Sequence, residues 1–217
     1  VYLTTTPEDM TWNVEYYYNE TNNLIAPTNV GEYAVTVTVT NPNYVIAPTG
    51  TSTTLLTIEP APVSFTFANT TQIFNGGPLP VTSDAVYFTP TPEDMTWFIE
   101  YFYNNTYSLI APSDVGEYPV SITITNPNYI VAPTGNSTDL LTINPALVSF
   151  EFADYVRVYT GNPILVNVTP TVTNSSATAP IQGTDFSIVY DGAHTIVGNY
   201  GLSISISNPN YDIASYI

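Results

Sequence analysis

The chain has 217 residues, no cysteine, no lysine and a single arginine, and its formal net charge is −17. Those numbers exclude disulfides and thiolate metal sites. They also make nucleic acid and anionic membrane poor partners, because a polyanion repels both. With 44% hydrophobic residues, 18 Tyr and 9 Phe, the chain has enough apolar surface for packed cores, although only 9% of it is charged.

In chain order, the first informative stretch is Thr6-Pro7-Glu8-Asp9-Met10-Thr11-Trp12, followed by the aromatic run Glu15-Tyr16-Tyr17-Tyr18. Next comes Val30-Gly31-Glu32-Tyr33, which opens a run with period-2 alternation. Tyr33, Val35, Val37 and Val39 fall on one face, and Thr36, Thr38 and Thr40 on the other. This is the pattern of a half-buried strand. Asn41-Pro42-Asn43-Tyr44 stops it, since proline has no N–H to give a ladder.

The whole pattern then returns. Asn41 recurs as Asn126, 85 residues on (126 − 41), and again as Asn208, 82 residues further (208 − 126). The chain is therefore a tandem array of units of about 85 residues, a size that buries its own core marginally. Three modules are expected: 1–59, lacking its first strands; 60–144, complete; and 145–217, lacking its last strand.

In the complete module, strands are predicted over Val63–Phe67, Leu79–Val81, Ala85–Phe88, Trp97–Tyr103, Tyr118–Thr125 and Leu140–Ile143, with turn residues between them. Thr91-Pro92-Glu93-Asp94 could begin a short helical turn. The joins Glu59-Pro60-Ala61-Pro62 and Asn144-Pro145-Ala146 read as stiff proline linkers. The expected fold is all-β: tandem immunoglobulin-like β-sandwich modules in a linear rod, with β-grasp-like modules as the alternative. No apolar run is long enough for a transmembrane helix. The chain opens on Val1 and reads as a mature or excised segment.

Several motifs carry a resemblance. They are Ile58–Val63 at the join, the turns Phe74-Asn75-Gly76 and Tyr159-Thr160-Gly161, then Tyr190-Asp191-Gly192, Val115–Tyr118 and Asn126–Tyr129. In this order they resemble the MBG/YDG group of bacterial immunoglobulin-like repeats. The resemblance implies tandem stalk modules of large secreted surface proteins, many of them adhesins, and so an extracellular, cell-surface location.

Catalysis has little to run on. A Ser/His/acid arrangement would have to use His194, the one histidine, and a solvated turn residue is the simpler reading. No enzymatic activity and no cofactor are expected. Calcium is the one metal that the acidity invites, through Glu93, Asp94, Asp114 and Glu117. The aromatic strands suggest more. Tyr16, Tyr17, Phe98, Tyr101, Phe102 and Tyr103 put rings on both faces where a core needs one, which makes them candidates for packing on another module or chain. Asn19, Asn69, Asn104, Asn136, Asn167 and Asn174 each begin a glycosylation sequon. The reading is a structural segment of an extracellular stalk or filament. It would be joined through aromatic faces and open strand edges to copies of itself or to a longer repeat chain. The alternative is an adhesin that binds a carbohydrate or protein ligand, including host or surface glycans, through the loops of the third module.

Overall fold

A computed structural model describes residues 8–48, 50–87, 94–153, 156–191 and 196–214. These residues are strands and connections with no helix among them, so none could cross a membrane as a helix. The predicted helical turn at Thr91-Pro92-Glu93 lies outside the described residues.

Module 1 contributes one sheet. Strands β1 (Trp12–Tyr18), β2 (Thr21–Asn23), β3 (Gly31–Val39) and β4 (Thr53–Ile58) pair in the order β2-β1-β3-β4. Tyr16 lies opposite Val35, and Tyr33 opposite Leu56. The expected alternation is only partial along β3: Val35 is buried, Tyr33, Val37 and Val39 are half-buried and Thr38 is exposed, but Thr36, expected on the exposed face, is half-buried like the valines. Asn19 and Glu20 turn the β1–β2 hairpin, both at positive φ (52° and 62°). That is the two-residue turn whose twist matches the flanking strands.

Module 2 is a complete two-sheet sandwich. Its strands are β5 (Ala61–Ala68), β6 (Thr71–Ile73), β7 (Thr82–Tyr87), β8 (Trp97–Tyr103), β9 (Thr106–Ser108), β10 (Gly116–Ile124), β11 (Tyr129–Val131) and β12 (Thr138–Asn144). One sheet runs β6-β12-β10-β8-β9 and the other β11-β5-β7. Side chains from the two sheets meet: the rings of Phe65 and Trp97 lie 5.5 Å apart, and the indole N–H of Trp97 donates to Ser83. Two pairings are parallel, β5 with β11 and β6 with β12. The alternation fixes the rest. Val120 and Ile122 on β10, and Leu141 and Ile143 on β12, are buried, whereas Pro119, Thr123 and Leu140 are exposed.

Module 3 keeps the plan with fewer strands. Strands β13 (Ala146–Ala153), β14 (Asn167–Val172) and β17 (Tyr211–Ile213) form the sheet β14-β13-β17, and β15 (Phe186–Tyr190) pairs with β16 (Leu202–Ile206). Phe150 and Phe186 stand 4.9 Å apart, at the places that Phe65 and Trp97 hold in module 2.

Three differences from the sequence reading have physical reasons. The proline joins are shorter than the sequence suggested, because the strands run into them: β4 ends at Ile58 and β5 begins at Ala61, and only Pro145 separates β12 from β13. The predicted strand at Leu79–Val81 is irregular chain with Leu79 and Val81 buried, because the Val81 N–H bonds the Tyr101 hydroxyl (3.0 Å) instead of a ladder. The short strands β6, β9 and β11 fell below the length at which alternation is readable. By contacts, the chain divides into two compact units. One holds residues 1–63, 87–96 and 124–133; the other holds 64–86, 97–123 and 134–217. Each unit therefore contains one join between successive modules.

Candidate functional site: the latch between modules

The latch is built from two turns. The first is Val-Gly-x-Tyr. The Tyr118 hydroxyl reaches back over Gly116 to the Asp114 carbonyl (2.8 Å), as Tyr33 does to Asn29 (2.8 Å) and Tyr200 to Ile196 (2.7 Å). A Cβ on Gly116 would stand 3.0 Å from that hydroxyl oxygen, so any other residue would make the ring give by a few tenths of an ångström.

The second turn is Asn-Pro-Asn-Tyr. Asn126 Oδ1 accepts the Asn128 N–H (3.0 Å), and its amide donates to Asp94 Oδ2 (3.0 Å). The Tyr129 hydroxyl donates to the other Asp94 oxygen. This bond holds the Asp94 carboxyl below its ordinary range and pushes Tyr129 up to about 12. Module 1 repeats the clamp, with Asn41 bonded to the Asp9 carbonyl (2.7 Å) and Tyr44 to Asp9 Oδ1 (2.5 Å). In module 3 Asp185 takes the part for Asn208 (2.8 Å), while Tyr211 turns to the Thr178 carbonyl (2.9 Å).

Thus clamped, the second Asn of the second and third motifs reaches the module before it. At the first join the Val30 N–H donates to Asn128 Oδ1 (2.8 Å), and the Asn128 amide donates to Asn29 Oδ1 (3.1 Å). At the second, the Val115 N–H donates to Asn210 Oδ1 (2.8 Å), and the Asn210 amide donates to Asp114 Oδ1 (2.9 Å). The carbonyls of both asparagines are used too, by Ala61 N–H (2.8 Å) and Ala146 N–H (3.0 Å). One asparagine therefore ties the start of its own module to the turn of the preceding one. Beneath the second latch the apolar core is continuous. Phe74, Leu79 and Leu141 pack in one cluster with Ala146, Val148 and Tyr211, and the rings of Phe74 and Tyr211 meet edge to face at 5.5 Å.

The predicted site residues fall elsewhere. Tyr101 is a core residue, 3% exposed, and its hydroxyl accepts the Val81 N–H. Tyr103 and Tyr118 stack edge to face (6.0 Å), as Tyr18 and Tyr33 do (6.1 Å). Tyr16 is half-buried, and Tyr17 is exposed. Phe98 is 36% exposed, and Phe102 packs on Tyr107 (5.1 Å), so an aromatic outer face exists on β8 and β9. All six sequon asparagines are exposed. Asn69 bonds Thr82 (3.4 Å), Asn136 accepts the Thr138 N–H (3.3 Å), and Asn174 accepts the Leu147 N–H (2.6 Å). Of the acids considered for calcium, Asp94 and Asp114 bond the asparagines above, Glu117 is exposed, and Glu93 lies outside the described residues, as does His194. Among the described residues no group of three or more His, Asp or Glu could hold a metal. The latch asparagines were missed, because their partners lie 95 to 99 residues away. The one available signal was that Asn-Pro-Asn-Tyr keeps its second Asn in all three copies, where stopping a strand needs only the proline.

Comparison with known families gives one match, the MBG domain, over residues 1–62 and again over 63–147. Comparison with curated proteins and with solved structures gives no match. The two matched stretches abut where one module hands over to the next, and together they take in more than half of the chain. With its repeated β-sandwich plan, this chain belongs to the MBG domain family of surface-protein repeats.

Proposed function

We propose that the chain is a structural segment of an extracellular stalk or filament, without catalytic chemistry, whose modules are held in register by a repeated latch. The observation that carries this reading is the pair of equivalent hydrogen bonds at both joins, Asn128 to the Val30 turn and Asn210 to the Val115 turn. A flexible string of binding domains has no use for such fixed joins, whereas a spacer does. The β-strand that begins within a residue or two of the preceding one supports the same reading, since it leaves little free chain to act as a hinge.

Spin labels test it. The chain has no cysteine, so introduced cysteines are unique. Thr38 and Thr123 occupy equivalent places in modules 1 and 2, and Ser205 does so in module 3, all of them exposed. Repeated joins predict narrow distance distributions with similar means for the pairs Thr38→Cys/Thr123→Cys and Thr123→Cys/Ser205→Cys. Broad distributions at either join would overturn the proposal.

A further inference from the structure

The hairpins β1–β2 and β8–β9 end in the turns Asn19-Glu20 and Asn104-Asn105, and all four residues have positive φ, between 52° and 62°. Asparagine visits that conformation more readily than most residues with a side chain. The next strand opens on Thr21 in one hairpin and on Thr106 in the other, so each turn is an Asn-x-Thr sequon at an exposed tip. Neither tip asparagine has a side-chain partner among the described residues. The other four sequons are placed differently. Asn69, Asn136 and Asn174 engage their side chains with Thr82, Thr138 and Leu147. Asn167 lies in the ladder of β14, opposite Ala153.

A second observation points to what the tips carry. An aromatic ring stands two residues before each tip asparagine, Tyr17 before Asn19 and Phe102 before Asn104. Both rings lie on the outer face of their strand: Tyr17 is 52% exposed, and Phe102 alternates with the buried Tyr101. Phe102 also lies opposite Tyr107, which is 61% exposed, with the two rings 5.1 Å apart. Phe67, two residues before Asn69, packs on the core instead. The tip rings therefore form uncovered platforms beside free asparagine amides, in a chain with only 9% charged residues to keep them soluble. A pyranose suits such a platform. One face of the sugar is a patch of C–H bonds that packs on a π-face, while its hydroxyls stay in water. Between modules 1 and 2 the ring changes from Tyr17 to Phe102 and the middle residue from Glu20 to Asn105, but ring, Asn and Thr all stay in place.

We propose that Asn19 and Asn104 carry N-linked glycans, whose first sugar lies on Tyr17 and on the Phe102–Tyr107 pair. The donor is a sugar on a polyprenyl diphosphate carrier. The asparagine Nδ2 bonds to the anomeric carbon. The bond from that carbon to the diphosphate oxygen breaks, its electron pair stays on the diphosphate, and one amide proton passes to a base of the transferring enzyme. The inference rests on the extracellular part of the stalk reading, since a sequon is used on secreted chains. It deepens that reading by covering the outer aromatic face of each hairpin with a sugar attached at its own tip.

Glycopeptide mass spectrometry of the full chain, taken from its native surface, is the first test. Sugar mass is expected on the peptides that carry Asn19 and Asn104. A bare asparagine at either tip would overturn the inference, and so would equal occupancy at Asn69 or Asn167. The second test places the sugar. The full chain is secreted from eukaryotic cells and trimmed to a single N-acetylglucosamine at each site. Ring currents of Phe102 and Tyr107 should move the C–H protons of the sugar on Asn104 upfield from their place in a glycosylated Asn-x-Thr peptide. Phe102→Ala should abolish that shift. Tyr107→Ala, at an exposed site that folding does not depend on, should shrink it. Sugar protons at the free-peptide position in the parent chain, or a shift that neither substitution changes, would overturn the platform. Spin-label distances report the joins and the glycopeptides report the tips, so either reading can fail without the other.

Discussion

Replacing Asn210 by Ala removes a whole latch while leaving the backbone of its turn in place. The Val115 N–H, half-buried, loses its 2.8 Å acceptor, and the exposed Asp114 carboxylate loses a 2.9 Å donor. The first loss is worth about 1 kcal/mol, because water reaches a half-buried donor only in part. The second is worth at most about 0.5 kcal/mol at an exposed site. Modules 2 and 3 share a core at this join, so the loss should register in the unfolding of module 2. Trp97 reports that module by fluorescence, and the only other tryptophan, Trp12, sits in module 1. With a urea m-value of about 1 kcal/mol/M for a unit of this size, the Trp97 midpoint should fall by about 1–1.5 M. Asn43→Ala is the control. Asn43 holds the same place in module 1, its N–H bonds Asn41 Oδ1 (2.9 Å), and its side chain has no partner among the described residues. Its midpoint should move by less than about 0.3 M. If Asn210→Ala shifts the midpoint no further than Asn43→Ala, the latch adds nothing to the join and the argument fails.

Gly116→Ala should cost about 1 kcal/mol, because the new Cβ stands 3.0 Å from the Tyr118 hydroxyl and the ring must shift to relieve it; a shifted Tyr118 ring signal in the aromatic NMR spectrum would accompany it. Leu141→Ala should cost about 2–5 kcal/mol in calorimetry, and Leu140→Ala, its exposed neighbour, less than about 1 kcal/mol; equal effects would mean that the register of β12 is wrong. The Asp94–Tyr129 clamp should weaken at both pH extremes. The folded Asp94 value is lowered, so its contribution is present above the ordinary carboxylate range and lost as pH falls through the folded value. Tyr129 is raised to about 12, so its contribution is whole below the ordinary tyrosine value near ~10 and lost as pH climbs toward the folded value. A difference titration of phenolate absorbance between the parent and Tyr129→Phe should find this tyrosine ionising late; ionisation at the ordinary value would refute the clamp.

Much of the fold was legible because strand patterns are local. Tyr118 to Ile124 announce the face that holds buried Val120 and Ile122, and the same alternation recurs from Tyr33 to Val39, where Val35 alone is buried. The joins were not legible. Pro60 and Pro145 looked like stiffeners between independent bodies, because composition cannot say that Val63 and Val148 just beyond them are fully buried. Tyr101 looked like a candidate for a second surface, yet its hydroxyl serves a backbone N–H of an irregular segment twenty residues earlier. Asn128 and Asn210 read as turn residues, which they are; their second use depends on partners nearly a hundred residues away. No local pattern encodes a contact of that range.

The parallel pairing of β6 with β12 has a mechanical consequence. Tension on module 2 enters through the chain before β5 and leaves through the chain after β12. In a parallel pair pulled at the start of one strand and the end of the other, the force runs along the strands and strains every cross-bond together. A hairpin pulled at its two open ends parts one bond at a time. Thr142, Ile143 and Asn144 lie beside Thr71, Gln72 and Ile73 at this point, with the Thr142 N–H on the Thr70 carbonyl (2.7 Å) and the Phe74 N–H on the Asn144 carbonyl (2.9 Å). Under such a pull these few bonds would be loaded in shear, as a group, beside those that hold β12 to β10.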